Sequence, residues 1–137
     1  MNEQENTKIV RQTYELFKSG DIETLLSMYS DDVSWELPEV ENTPFGGKLS
    51  GREEVARFFS ELDKYEENLT FERTDFIAQG DKVVVLGNFT WRVKSTKKEY
   101  ASGFAHVVTV RDGKIVGFVE YMDTAARSKA HTASQTA

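Results

Sequence analysis

The 137 residues amount to one domain's worth of chain, long enough to bury about two-thirds of the surface it exposes when unfolded. With no cysteine, a disulfide framework and a cysteine-ligated metal centre are both excluded, and a formal charge of −6 argues against nucleic acid or anionic lipid as a partner. No apolar run approaches the roughly 20 residues of a membrane helix, and the start, MNEQENTK, lacks the basic-then-apolar order of a signal peptide, so a soluble cytoplasmic protein is expected.

The first predicted element is a helix, because Ile9, Val10, Thr13, Leu16 and Phe17 recur at three- and four-residue intervals before Gly20, a plausible stop. Asp21 is placed to cap a second helix, whose Ile22, Leu25, Leu26 and Tyr29 form one apolar stripe. Val33, Trp35 and Leu37 alternate with Ser34 and Glu36, which predicts a short strand ended by Pro38. The stretch from Pro38 to Gly51 holds both prolines and reads as loop. Ser50 and Glu53 have the spacing of a capping box before a third helix, with Val55, Phe58, Phe59 and Leu62 on one face.

After Asn68 the pattern changes to long strand-like runs, LTFERTDFIA, KVVVLGNFTWRV, EYASGFAHVVTV and KIVGFVEYMD, separated by QGD, KSTKK and RDG. Sequential antiparallel hairpins are expected. Helices grouped before strands predict an α+β fold, with the N-terminal helices packed on one face of a curved, mainly antiparallel sheet. A single domain is expected over residues 1–124. Residues 125–137 are small and polar with no apolar period, and read as a tail that is mobile or used in a contact the sequence does not show.

The turn at Arg111, Asp112 and Gly113 decides which side chains of the last two strands share a face. A two-residue turn would pair Val110 with Ile115. A three-residue loop would pair Val110 with Lys114 and set His106 opposite Phe118. The distribution of bulk favours the second. It gathers Phe104, His106, Val108, Phe118, Glu120 and Met122 on an inner face and leaves Gly103, Ala105, Val107, Gly117, Val119 and Tyr121 on a flatter outer one. The flat face suits a second subunit. His106 and Glu120 then lie among apolar neighbours, where each needs a hydrogen-bonding partner or a shifted ionisation.

The stretches GDIETLLSMYSDDVSW, SGREEVARFF and HVVTVRDGKIVGFVEYMD, in this order of elements, resemble the nuclear-transport-factor-2-like superfamily, specifically its SnoaL-like polyketide cyclase and ketosteroid isomerase branches. The similarity runs from about Asn6 to Asp123. It implies a cone of helices closed by a curved sheet, a small-molecule pocket inside, and a homodimer built through the sheet. Matched residue by residue, the isomerase's catalytic aspartate falls at Leu37, its first-helix tyrosine at Thr13, with Tyr14 one residue off and turned elsewhere, and that tyrosine's supporting tyrosine at Phe59. Ketosteroid isomerisation is therefore not expected. The protonated acid of that branch and the histidine of the cyclase branch both fall at His106, and the cyclase acid–base residue, normally aspartate, falls at Glu120.

Glu120 and His106 are accordingly the catalytic candidates, with Trp35, Leu37, Phe59, Phe104, Phe118 and Met122 as candidates for lining an apolar pocket. Each has a plainer reading: a structural ion pair, a satisfied core histidine, or ordinary core aromatics. Asp123 reads as a cap or rim residue. Only His106 and His131 offer imidazole, so no metal site is expected, and no phosphate loop or nucleophile elbow calls for a cofactor or a serine mechanism. The cluster Lys94, Lys97 and Lys98 reads as a solvated turn. Two classes of function follow: a cofactor-free isomerase, cyclase or lyase moving a proton next to a carbonyl, or a non-catalytic module binding an apolar small molecule or a protein partner in the same cavity.

Overall fold

The computed structural model describes residues 2–133. Helix α1 (Glu3–Ser19) starts where the Asn2 side chain accepts a hydrogen bond from the Glu5 N–H at 2.9 Å. It stops at Gly20, whose left-handed φ of 81° lets the Asp21 N–H turn back to the Leu16 carbonyl at 3.0 Å. Asp21 then caps α2 (Ile22–Ser27), its side chain accepting from the Thr24 N–H. This second helix is shorter than its apolar stripe predicts. Tyr29 opens β1 (Tyr29–Leu37) instead, where a strand buries it as well as a helix would.

The glycine- and proline-rich segment is not all loop. Gly47–Ser50 forms β2, antiparallel to β1, with Leu49 opposite Trp35. Ser50 is thereby committed to a strand and does not cap α3 (Arg52–Tyr65). Gly51 takes the N-cap position without a side-chain bond, and the Ser50 N–H donates to Glu54 Oε1 at 2.9 Å. Strands β3 (Glu66–Gln79), β4 (Lys82–Val93), β5 (Glu99–Arg111) and β6 (Lys114–Met122) follow as sequential antiparallel hairpins. The six strands order as β2, β1, β6, β5, β4, β3, and only the β1–β6 pair is parallel. The sheet is curved and unclosed, and the fold is α+β. No helix among the described residues is long and apolar enough to cross a membrane.

The β5–β6 turn has two residues, with Asp112 and Gly113 both at positive φ and Arg111 opposite Lys114, which corrects the three-residue loop expected from bulk. A register shift follows between Thr109 and Val110, because Val110 faces Ile115 while Thr109 faces Gly117. The extra residue restores the parity. The inner and outer sets are therefore those anticipated, but slid by two: His106 lies opposite Glu120, and Val108, not His106, faces Phe118.

Gly87, on β4, shows how closely the sheet is packed behind this pair. A Cβ there would stand 2.0 Å from the Glu72 carbonyl oxygen and 2.6 Å from the Phe104 ring. Gly87→Ala is expected to cost about 1–3 kcal/mol, the usual penalty of overpacking. Urea unfolding checks this, and an unchanged midpoint would show that the strands can separate.

Of the two expectations for the tail, mobile or used in a contact, the described part meets the second: it forms a helix, α4 (Thr124–His131), capped by the Asp123 side chain accepting from the Ala126 N–H at 3.0 Å. Asp123 thus has the cap role read from the sequence. Arg127 and Ala130 are buried, and α4 packs on β5 and β4. The helix escaped detection because the face it buries is polar: Arg127 and His131, four residues apart, both reach Glu66. Residues 134–137 of the expected tail lie outside the described residues.

Candidate functional site

Three elements deliver a chain of polar side chains into the core. Tyr14 lies on the stripe that α1 turns inward with Val10 and Phe17. His106 comes from β5, and Glu120 from β6 directly across the ladder. The Tyr14 hydroxyl is 2.6 Å from His106 Nδ1, and His106 Nε2 is 2.8 Å from Glu120 Oε2. Tyr14 is thus the residue the sequence reading turned away from the site. Its position follows from the spacing of Val10, Tyr14 and Phe17, a second stripe that anchoring on Gly20 alone obscured. Thr13 also borders the site, but its hydroxyl donates to the Val10 carbonyl at 2.6 Å and is committed to the helix.

Burial pushes the Tyr14 hydroxyl well above the ordinary tyrosine range, and the negative charges that ionised Tyr29 and Glu120 would place nearby add to it. Tyr14 therefore keeps its proton, and where the Glu120 carboxylate accepts from the Nε2–H tautomer of His106, the Nδ1 atom accepts from the phenol. The order of donors runs from phenol to imidazole to carboxylate. Glu120 Oε1 has no hydrogen-bond partner among the described residues, and the side chain is 12% exposed.

These groups border a space of about 80 Å³ between the helices and the sheet. Of the residues anticipated from the sequence, His106, Glu120, Trp35, Leu37, Phe59 and Phe118 line it. Phe104 and Met122 do not. Phe104 stacks on His106 and Phe89, with centroids 4.3 and 5.1 Å apart, and so holds the imidazole from behind. Met122 sits with its sulfur 3.6 Å from Arg127 Nη1. Trp35 stacks on Phe118 at 3.8 Å, and its buried Nε1–H has no acceptor among the described residues.

Arg127, missed by the sequence reading, also borders this space. Its Nε and Nη2 donate to the two oxygens of Glu66 at 3.0 and 3.1 Å. Tyr100 donates to the same carboxylate at 2.5 Å, and His131 Nε2 lies 2.5 Å from it. Burial alone would raise the Glu66 carboxyl, but the Arg127 hydrogen bonds and charge, with those from His131 and Tyr100, hold it below the usual carboxylate range. Burial would likewise lower Arg127, and Glu66 outweighs it. No sequence pattern pointed to this pair, since Glu66 opens a strand and Arg127 lies in a segment without apolar period.

The chain matches the SnoaL-like domain over residues 10–118 and belongs to that family. An NTF2-like protein from Burkholderia xenovorans is 32% identical, with a TM-score of 0.86 over 96% of this chain and 99% of that one. TerC, co-crystallised with polyporic acid, is 29% identical, with a TM-score of 0.80 over 93% and 98% of the two chains. A protein of ketosteroid isomerase-like fold from Catenulispora acidiphila, in complex with trimethylamine, is 17% identical and shares the fold, with a TM-score of 0.68 over 80% and 81%. No curated protein matches the chain.

Proposed function

We propose that the protein binds a small organic molecule between its helices and sheet and moves a proton next to a carbonyl group without a cofactor, acting in the cytoplasm. The observation that carries this reading is the Tyr14–His106–Glu120 chain, which ends in a carboxylate oxygen without a protein partner beside an apolar space. Glu120 Oε1 is the acid–base atom, and His106, held in one tautomer by Tyr14, is a positioning residue for the carboxylate. The family includes polyketide cyclases and isomerases, and TerC was crystallised with an organic acid, both in keeping with this chemistry. Steroid isomerisation has no place in it, because Leu37 occupies the position of the base and Phe59 that of the supporting phenol.

The test is deuterium uptake from D2O into the carbon next to the carbonyl of cyclopentanone and 2-tetralone, followed by NMR. Catalysed uptake that disappears in Glu120→Gln supports the reading. Uptake no faster than in buffer, or equal in the variant, overturns it.

The largely apolar, aromatic lining of the space supports a second reading, a non-catalytic binding module. About 80 Å³ is less than the roughly 150 Å³ of an engineered cavity that admits benzene, so the site either takes a very small guest or opens to receive one. A binding module would hold the same apolar ligand, or a protein partner, with no catalysed deuterium uptake in either the unaltered protein or Glu120→Gln.

The homodimer belongs to the proposal as well. Its support is the outer sheet face, where Tyr121 is 60% exposed beside Val107 and Val119, a patch that a monomer would have to leave in water. Sedimentation is expected to give twice the 15.6 kDa chain mass, and Tyr121→Lys to shift the protein toward monomer. A 15.6 kDa species of the unaltered protein at micromolar concentration would remove the dimer.

A further inference from the structure

We propose that the ligand carries an anionic oxygen, as a carboxylate, enolate or phenolate, and that Trp35 and Arg127 are the groups that bind it. This rests on the reading of the space as a binding site and adds the class of molecule it takes. Both residues line that space and both are 4% exposed. The Trp35 Nε1–H is buried and has no acceptor among the described residues. Buried indole N–H groups ordinarily find a partner, so this donor is left for a guest that the space opens to receive.

Arg127 is similarly incomplete. Its guanidinium carries five N–H donors. Nε and Nη2 engage Glu66, while Nη1 meets only the Met122 sulfur at 3.6 Å, a weak acceptor. The Glu66 carboxylate, held also by Tyr100 and His131, has its oxygens filled from within the protein and fixes the guanidinium in place. A rigid fork with one nitrogen bonded only to a sulfur suits an oxygen with more than one lone pair.

The strand geometry sets these donors about the acid–base atom. Trp35 stacks on Phe118, and Arg127 touches Met122; Phe118, Glu120 and Met122 are alternate residues on one face of β6. The Cα atoms of Phe118 and Met122 stand about 7 Å to either side of that of Glu120 along the strand, and Trp35, Arg127 and Glu120 all line the one space. Arg127 is paired with Glu66, so net charge is not what selects the anion. Directed N–H donors are, because a hydrogen bond to an ionised oxygen is roughly twice as strong as one to the neutral oxygen of an amide.

The probes are acetate against acetamide and benzoate against benzamide, titrated by NMR at pH 7. Each acid is expected to bind at least tenfold more tightly than its amide. Trp35→Phe keeps the ring on Phe118 and removes the donor, and is expected to weaken acid binding about tenfold while leaving the amides unchanged. The double variant Glu66→Gln with Arg127→Met removes both members of the buried pair and is expected to abolish the remaining preference. Should the double variant not fold, Trp35→Phe decides the matter. Equal affinity for acid and amide, or a preference undiminished in Trp35→Phe, overturns the assignment and leaves the cavity reading standing. Binding of neither acid nor amide at millimolar concentration overturns both.

Discussion

Arg127→Ala is expected to lower stability by about 3–5 kcal/mol, because it strands a carboxylate in the core. The Glu66 side chain has no exposed surface, and Arg127 supplies two of the hydrogen bonds that keep it charged. Replacing the pair together, Glu66→Gln with Arg127→Met, is expected to recover most of that loss, since no unpaired charge remains. Urea denaturation of the three proteins checks it. If Arg127→Ala unfolds within about 1 kcal/mol of the unaltered protein, water reaches Glu66 or the helix is not docked. The pair also has a signature in acid. The folded Glu66 carboxyl titrates below its unfolded value of about 4.3, so its contribution is complete above that pH and lost as the pH falls through the folded value. Stability of the unaltered protein should therefore fall with acid below about pH 4, and the slope should be shallower in Glu66→Gln.

Glu120→Gln is expected to reduce proton-transfer turnover by about a hundredfold or more, the usual contribution of a positioned acid–base group. The amide oxygen can still accept from His106 Nε2, so the fold and the cavity should survive. Ligand affinity should change little. The expected pattern is a fall in kcat with KM nearly constant. A structural partner of His106 would give the opposite result, a lowered melting temperature with turnover intact. Measuring both quantities on one preparation separates the two roles.

Much of this arrangement was legible in the chain because the period of burial carries it. The stripes of α1 and α3 repeat at three and four residues, and Gly20 and Asp21 mark a stop and a start that the structure uses. The inner face of β5 and β6 was assigned correctly even though the turn was not, since the bulge after Ile115 adds one residue and parity alone decides which way a side chain points. Register is a finer property. Two positions of slip separate His106 facing Phe118 from His106 facing Glu120, and no local pattern encodes a bulge. Tyr29 fitted both a helical stripe and the first buried position of a strand, so the end of α2 was invisible. Strand β2 escaped because it spans four residues only, and the alternation of half-buried Gly47 and Leu49 with exposed Lys48 and Ser50 is too short to stand out in a glycine- and proline-rich stretch.

The polar parts of the site failed for a different reason. Arg127 and His131 have helical spacing, but a search for apolar periodicity passes over a helix that docks through a salt bridge. Glu66, at the hinge between α3 and β3, looks in the sequence like one more surface acid among Glu61, Asp63 and Glu67. Only the three-dimensional neighbourhood distinguishes it.

The contacts that make the site have an implication for how the chain reaches it. Tyr14 and His106 are 92 residues apart, Glu66 and Arg127 are 61 apart, and the parallel β1–β6 pair joins the first strand to the last. Non-local pairings of this kind place a domain toward the slow end of folding, in the range of milliseconds to seconds, because chain entropy is lost before the contacts form. No partly folded species that lacks the β1–β6 ladder can hold Trp35 against Phe118, or bring Trp35 and Glu120 to one space. Recovery of ligand binding during refolding should therefore lag behind the return of helical signal and coincide with the final, slowest phase.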